Sequence, residues 1–219
     1  MLKYRKLKKK SGEKMIDKIT EFLTNKIRKE MPDVDDERAE VINFGLQILL
    51  GEVPKIFIML AIAYLLGVFK LSLITFLILM PYRGFSGGFH LKTHIGCIIS
   101  TCTFYCGTAL LAKYIVLTNV VKYITIILLA IFGIIMIKLY APADTEDVPI
   151  ISKKLRKQKQ ILSYISFIIG LVIATVINNN TISNIIIFGY LMQTCMITRL
   201  AYKLTNNKYG YEVYENATN

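Results

Sequence analysis

One short stretch of this chain holds a candidate cysteine nucleophile together with two candidate bases. The segment from Tyr82 to Cys106 contains both histidines, three of the four cysteines and four glycines of the sequence. A cysteine is a good nucleophile only as the thiolate, so it needs a base or a positive charge close to it. His90 lies seven residues before Cys97, and His94 lies three residues before it. The stretch is therefore the candidate catalytic site.

The spacing of the two histidines leaves the choice of base open. Residues three apart share one face of a helix, so spacing alone favours His94 as the partner of Cys97. In a straight helix, His90 would be separated from Cys97 by about 10 Å along the axis. It can reach the sulfur only if the chain bends, and Gly87, Gly88 and Gly96 allow such a bend.

Two other interpretations of this stretch do not use Cys97. Gly84–Gly87 reads G-F-S-G, similar to a short motif of rhomboid-type intramembrane serine peptidases, but no histidine follows His94 to act as the base on a later span. In the second interpretation, the stretch is a polar helix end whose histidines and cysteines have no catalytic role.

The other three cysteines are predicted to be structural. Cys102 and Cys106 lie deeper in an apolar run, and Cys195 lies far along the last apolar segment with no histidine near it in sequence. Free thiols in such segments pack as small apolar groups. Because the Cys and His spacings fit no usual zinc motif, we expect no metal ion and no cofactor.

The composition indicates an integral membrane protein. Of the 219 residues, 54% are hydrophobic, and the mean hydropathy is +0.48. The net charge of +12 is concentrated near the N-terminus and at residues 153–159, beside apolar runs. Cytoplasmic loops of membrane proteins carry charge in this way, so we expect no nucleic-acid partner. By the same rule both termini and the Tyr82–Cys106 stretch are predicted to face the cytoplasm.

Hydropathy predicts an all-α, multi-pass protein with about six spans in the cell membrane. The pattern indicates an amphipathic helix at 15–27, a broken apolar passage at 41–69, and a short segment at 71–81 that leads into a glycine-bent, possibly re-entrant piece. Four further spans are predicted at 95–117, 123–140, 161–177 and 182–202. The domains follow as a basic amphipathic N-terminal segment (1–40), one membrane domain (41–204) and a polar, frayed tail (205–219).

A larger pattern resembles one membrane-protein family. Arg83-x3-Gly87-Gly88-x-His90-x6-Cys97 is followed by Y-A-P-A-D-T-E at 140–146 and preceded by G-L-Q-I-L-L-G at 45–51. Together these motifs resemble the accessory gene regulator B (AgrB) family, the membrane cysteine endopeptidases of peptide quorum sensing. The resemblance implies that Cys97 is the nucleophile and His90 its base, with His94 a bystander. The residues that it implies support the site or the substrate are Arg83, Gly87, Gly88 and Gln47.

The resemblance also implies the substrate and the reaction. The partner would be a small precursor peptide of the AgrD type with an acidic C-terminal part, which Cys97 would release through an acyl-enzyme thioester. A cysteine or serine of the peptide would then close a thiolactone or lactone ring. The other expected partners are the lipid bilayer and, in a homodimer, a second copy of the chain. A transporter and a non-catalytic membrane scaffold are the alternatives, although the sequence lacks the internal repeats typical of transporters.

Overall fold

The computed structural model describes residues 13–31, 34–91, 93–146, 148–150 and 152–215. The strongly basic residues 1–12 and Lys92, within the candidate stretch, lie outside the described residues. Apart from two isolated β-bridges, the regular structure of the described part is helical. Its helices are α1 (Glu13–Glu30), α2 (Asp36–Leu65), α3 (Phe69–Ser86), α4 (His94–Tyr114), α5 (Asn119–Tyr140), α6 (Lys153–Val176), α7 (Asn180–Met196), α8 (Arg199–Leu204) and α9 (Gly210–Glu215).

The chain forms two compact units, residues 1–58 and residues 59–219. The first unit contains α1, which confirms the helix predicted at 15–27. The apolar passage predicted at 41–69 could be an entry helix followed by a span or one longer helix. The helix α2 continues through Pro54 and ends at Leu65, four residues before the predicted bound. Lys55 pairs with Glu52 at 2.7 Å, which places opposite charges together one turn apart in this helix.

Four described helices are long and apolar enough to cross a membrane. They occupy residues 38–65, 95–114, 119–140 and 153–176, which correspond to four of the predicted spans. This confirms a helical protein with membrane-spanning character. At the positions of the two other predicted spans the structure has α3 and α7.

The predicted bounds of these two segments are wrong. The segment predicted to stop at Pro81 continues as α3 to Ser86, because a proline within a helix removes one backbone hydrogen bond without necessarily ending it. The segment predicted to run to Tyr202 leaves the helix at Ile197, where the Thr198 side chain accepts a hydrogen bond from the backbone N–H of Ala201 and starts α8.

The core of the second unit fixes α3 against α6 and α7. The Tyr82 ring centroid lies 5.2 Å from that of Phe167 and 4.9 Å from that of Tyr190. Gly133 and Gly170 provide the space for these rings: a Cβ at Gly133 would lie 2.1 Å from the Phe167 ring, and one at Gly170 would lie 2.2 Å from the Tyr190 hydroxyl. Small residues allow this close helix packing. The C-terminal end of α3 is held in place as a result.

The prediction of a frayed tail from residue 205 is wrong for the described residues. Tyr209 is only 2% exposed, and residues 210–215 form α9. The tail is polar in composition, but the Tyr209 ring stacks on that of Tyr202, and the Tyr209 hydroxyl donates to the Ile197 carbonyl.

Candidate functional site

His90 and Cys97 line the same cavity in the second unit. The cavity has a volume of about 20 Å³, which is enough for a water molecule. Its walls come from the end of α3, the irregular segment that follows, the first half of α4 and the end of α7. The lining residues are Arg83, Phe89, His90, Leu91, Cys97, Ser100, Thr101, Phe104, Tyr105 and Met196.

Two glycines produce the bend that brings His90 to this cavity. The helix α3 ends at Ser86, and the backbone then turns through Gly87 at φ 75° and Gly88 at φ 140°. Only glycine adopts these positive φ values readily. The chain stays non-helical to Leu91, so His90 and Cys97 do not share one straight helix. The bend that His90 needs in order to approach Cys97 is therefore confirmed.

Cys97 lies in the first turn of α4. The N-cap residue is Thr93, whose side chain accepts a hydrogen bond from the backbone N–H of Gly96 at 3.1 Å, while the N–H of Cys97 donates to the Thr93 carbonyl at 2.9 Å. The N-terminal end of a helix carries partial positive charge, which favours an anion such as a thiolate. The cysteine thus occupies a position suited to a nucleophilic sulfur.

Gln193 of α7 holds Arg83 at the cavity wall. An Nη1–H of Arg83 donates to Gln193 Oε1 at 3.0 Å, and the same nitrogen lies 3.1 Å from Met196 Sδ. The guanidinium also lies 5.5 Å from the centre of the Phe104 ring, within the range of a cation–π interaction. Arg83 therefore brings fixed positive charge to the site.

The same glutamine also holds the glycine turn. Gln193 is fully buried, and its Nε2 donates to Ser86 Oγ at 2.9 Å and to the Gly87 carbonyl at 2.7 Å. A side chain at Gly88 would be strained because the φ of this residue is positive, although a Cβ there would lie at an ordinary contact distance of 3.8 Å from the Gln193 amide. Sequence reasoning missed Gln193, although the signal that drew attention to Gln47, an amide within an apolar helix, was present.

Ser86 has a structural position. Its side chain is fully buried at the end of α3, and its hydroxyl oxygen accepts the hydrogen bond from Gln193. Ser86 is not among the residues that line the cavity. The G-F-S-G interpretation is therefore not supported by this geometry.

The Y-A-P-A-D-T-E segment packs against the glycine turn. The N–H of Ala143 donates to the Ser86 carbonyl at 2.8 Å, and the N–H of Gly88 donates to the Ala143 carbonyl at 2.9 Å. A Cβ at Gly87 would lie 2.3 Å from the Ala143 oxygen. This contact explains why two motifs more than fifty residues apart belong to one site.

The first acidic residue of this segment pairs with the basic run that follows. The Asp144 carboxylate is fully buried and lies 3.1 Å from Arg156 Nη1, and its other oxygen accepts the N–H of Ile150 at 2.9 Å. From the sequence alone, the carboxylates of this segment could orient a histidine, bind a cationic peptide region or pair with the lysines that follow. The structure confirms pairing with residues 153–159 for Asp144. Its partner is the arginine and not a lysine.

Gln47 belongs to the first unit. Its Nε2 donates to Asp17 Oδ1 of α1 at 2.9 Å. From the sequence alone, an amide among apolar residues is as consistent with a hydrogen bond to a neighbouring helix as with a substrate contact, and the structure shows the bond to a neighbouring helix. A contact with the substrate stays a prediction.

The remaining cysteines differ in exposure. Cys106 is buried and lies 3.7 Å from the Met59 carbonyl oxygen, as expected for a core thiol. Cys102 is half-buried, and Cys195 is exposed. Of the four cysteines, Cys97 is the one that lines the cavity.

Comparison with known proteins identifies the family. The family model described as accessory gene regulator B matches residues 20–197. An AgrB-like protein of Listeria innocua is 30% identical over 185 residues, which are 83% of this chain and 88% of that protein. Accessory gene regulator protein B of Staphylococcus aureus is 30% identical over 162 residues, or 74% of this chain and 83% of that protein. No solved structure matches the chain significantly. With a match over most of its length, this chain belongs to the accessory gene regulator B family.

Proposed function

We propose that this chain is a membrane-embedded cysteine endopeptidase that cleaves a small precursor peptide of the AgrD type and promotes its cyclisation. Family membership implies a role in the agr quorum-sensing system, with such a precursor as the partner. The observation that carries the proposal is the shared cavity of His90 and Cys97, with the positive charge of Arg83 in its wall.

The first half of the reaction breaks a peptide bond. His90 takes the proton of the Cys97 thiol, and the thiolate attacks the carbonyl carbon before the acidic C-terminal part of the precursor. The tetrahedral intermediate collapses, and the leaving amine takes the proton from His90. The C-terminal fragment departs, and the rest of the peptide stays bound to Cys97 as a thioester.

The second half of the reaction transfers the acyl group within the peptide. A cysteine or serine side chain of the bound peptide attacks the thioester carbonyl, its proton passes through His90 to the departing Cys97 sulfur, and a ring closes. Exchange of one thioester for another is nearly isoenergetic, so a thiolactone needs no nucleotide hydrolysis, provided that water is kept out.

The other site residues have supporting roles in this scheme. Arg83 would stabilise negative charge on the thiolate and on the oxygen of the tetrahedral intermediate. Gly87 and Gly88 would give His90 its position through the bend. Gln47 would contact the precursor or the first unit's own helices, and its hydrogen bond to Asp17 favours the second role.

The membrane arrangement that we propose has six spans and both termini in the cytoplasm. The helices α3 and α7 would be the two spans beyond the four that qualify by length and composition. The exposed lysines at the start of α6 would then face the cytoplasm, and so would the bent segment that follows α3. The same lysines would attract the acidic end of the precursor. We also expect a homodimer.

Co-expression with a tagged AgrD-type precursor tests the proposal. Wild type should release the C-terminal fragment, whereas Cys97→Ala and His90→Ala should not. Cys102→Ala is the matched control, because it removes a half-buried thiol from the same helix outside the cavity lining, and it should cleave normally. Release of the fragment by Cys97→Ala would overturn the proposal. Loss of cleavage in His94→Ala with activity retained in His90→Ala would reverse the assignment of the base.

A further inference from the structure

The C-terminal segment after α8 is firmly anchored in the second unit. Tyr209 stacks on Tyr202 with the ring centroids 4.0 Å apart, and its hydroxyl donates to the Ile197 carbonyl at 2.9 Å. The Tyr202 hydroxyl donates in turn to the carbonyl oxygens of Ala143 at 2.9 Å and Asp144 at 3.1 Å. The segment is thereby connected to the same loop that holds the glycine turn.

Further contacts fix the start of α9. A Cβ at Gly210 would lie 2.6 Å from the Thr145 carbonyl oxygen, so the backbone approaches this loop closely. The Arg156 guanidinium lies 4.3 Å from the centre of the Tyr211 ring, and Arg199 forms an ion pair with Glu212. These contacts connect the start of α9 to this loop, to α6 and to α8.

Asn207 connects this anchored segment to the backbone of the candidate base. Its own N–H donates to the Tyr202 carbonyl at 2.9 Å, which sets the position of the residue. Its side-chain Nδ2 donates to the His90 carbonyl at 2.9 Å and also lies 2.9 Å from Thr205 Oγ1. The His90 carbonyl belongs to the non-helical segment between α3 and α4, where no helix ladder fixes the chain.

We propose that Asn207 is a positioning residue that holds the backbone of His90 and thereby aims its imidazole into the cavity of Cys97. The proposal rests on the proposed function, since it assigns a role toward the base of that reaction. It also makes the C-terminal segment part of the catalytic apparatus, although the segment follows the last residue matched by the family model at 197. Sequence composition alone would class it as a dispensable tail.

Purified full-length protein in liposomes, given a tagged AgrD-type precursor, tests this role. Asn207→Leu removes the donor at similar size and should lower kcat about three- to tenfold, the loss of one hydrogen bond, with KM nearly unchanged. Asn207→Asp should lower kcat similarly, because its carboxylate cannot donate to the His90 carbonyl. If the leucine variant does not accumulate, the aspartate variant is used in its place. Asn206→Asp makes the same chemical change at an exposed neighbour and should leave kcat unaltered.

A second readout separates positioning from general stability. The rate at which iodoacetamide modifies Cys97, followed by peptide mass spectrometry, should fall in Asn207→Leu in the same direction as in His90→Ala, at unchanged thermal stability. If both Asn207 variants keep the wild-type kcat and the wild-type modification rate while His90→Ala is inactive, the role of Asn207 is refuted and the proposed function stands. Full cleavage by His90→Ala would instead remove the proposed function, and this inference with it.

Discussion

Replacing Gln193 with methionine would remove three hydrogen bonds from the centre of the site while keeping the side-chain size similar. The amide accepts from the Arg83 guanidinium and donates to Ser86 Oγ and to the Gly87 carbonyl. Each neutral bond contributes about 1 kcal/mol, and the bond from the charged group contributes about 2 kcal/mol, so about 4 kcal/mol of stability is at risk. The cost is high because Gln193 is fully buried, and water cannot replace its bonds.

The same substitution should also slow the reaction. Without the glutamine oxygen, Arg83 is no longer fixed at the cavity wall. If its bond of about 2 kcal/mol is fully expressed in the transition state, precursor cleavage falls about 30-fold. Gln193→Glu keeps an acceptor for Arg83 and loses the donor to Gly87, so it should retain more activity than Gln193→Met.

The assay compares initial rates of precursor cleavage in liposomes with thermal unfolding in detergent for both variants. Gln160→Met is the matched control: its amide donates to the carbonyls of Ile137 and Lys138 at the end of α5, outside the cavity lining, so its loss should affect stability and not cleavage. If Gln193→Met keeps the wild-type cleavage rate and unfolding temperature, the role given to Gln193 is refuted, because a buried hydrogen-bond network of this size cannot be lost without effect.

Two further substitutions test the contact between the motifs. Gly87→Ala should abolish cleavage and lower the yield of folded protein, because the new Cβ would lie 2.3 Å from the Ala143 oxygen. In Gly84→Ala the new Cβ has no atom within 4 Å, so this variant should cleave normally. Equal activity of the two variants would contradict the prediction. Asp144→Asn should lower the unfolding temperature by the equivalent of about 2 kcal/mol, because it leaves Arg156 without its carboxylate. Asp144→Asn combined with Arg156→Gln should recover part of the loss in the same melting assay, and an unchanged midpoint in the single variant would exclude the pairing as a stabilising contact.

The sequence predicted the local features of the site well. Gly87 and Gly88 predicted a bend, and the structure has positive φ values at both. Of the six spans that the apolar runs predicted, four correspond to helices that are long and apolar enough to cross a membrane. These predictions were correct because the conformation of a glycine and the length of an apolar run depend on the neighbouring residues and on the solvent. They do not depend on the tertiary arrangement.

The long-range contacts of the site were not predictable in this way. Gln193 meets Arg83 across 110 residues, and Asn207 meets His90 across 117, so both contacts depend on how helices pack. The C-terminal segment was misjudged because polar composition predicts exposure, whereas Tyr209 buries its ring and satisfies its hydroxyl on a backbone carbonyl. Amphipathic aromatic side chains can be buried in this manner without an apolar sequence pattern.

Burial also has a consequence for the chemistry of this segment. Burial, with a further contribution from the neighbouring Tyr211 and Tyr140, raises the pKa of the Tyr209 hydroxyl above its ordinary value. The hydroxyl therefore stays protonated throughout the range in which a cysteine–histidine pair works, and it can keep donating to the Ile197 carbonyl. We therefore expect the hydrogen bond from Tyr209 to Ile197, which helps to anchor the segment that carries Asn207, to persist throughout that pH range.

Intact-protein mass spectrometry of the enzyme with a tagged AgrD-type precursor tests the central claim most directly. During turnover, the account predicts a covalent adduct with the mass of the N-terminal part of the precursor, localised to Cys97, released by hydroxylamine and absent from Cys97→Ala. An adduct on Cys102 or Cys195, or cleavage without any adduct in a protein that lacks the Cys97 thiol, would contradict it.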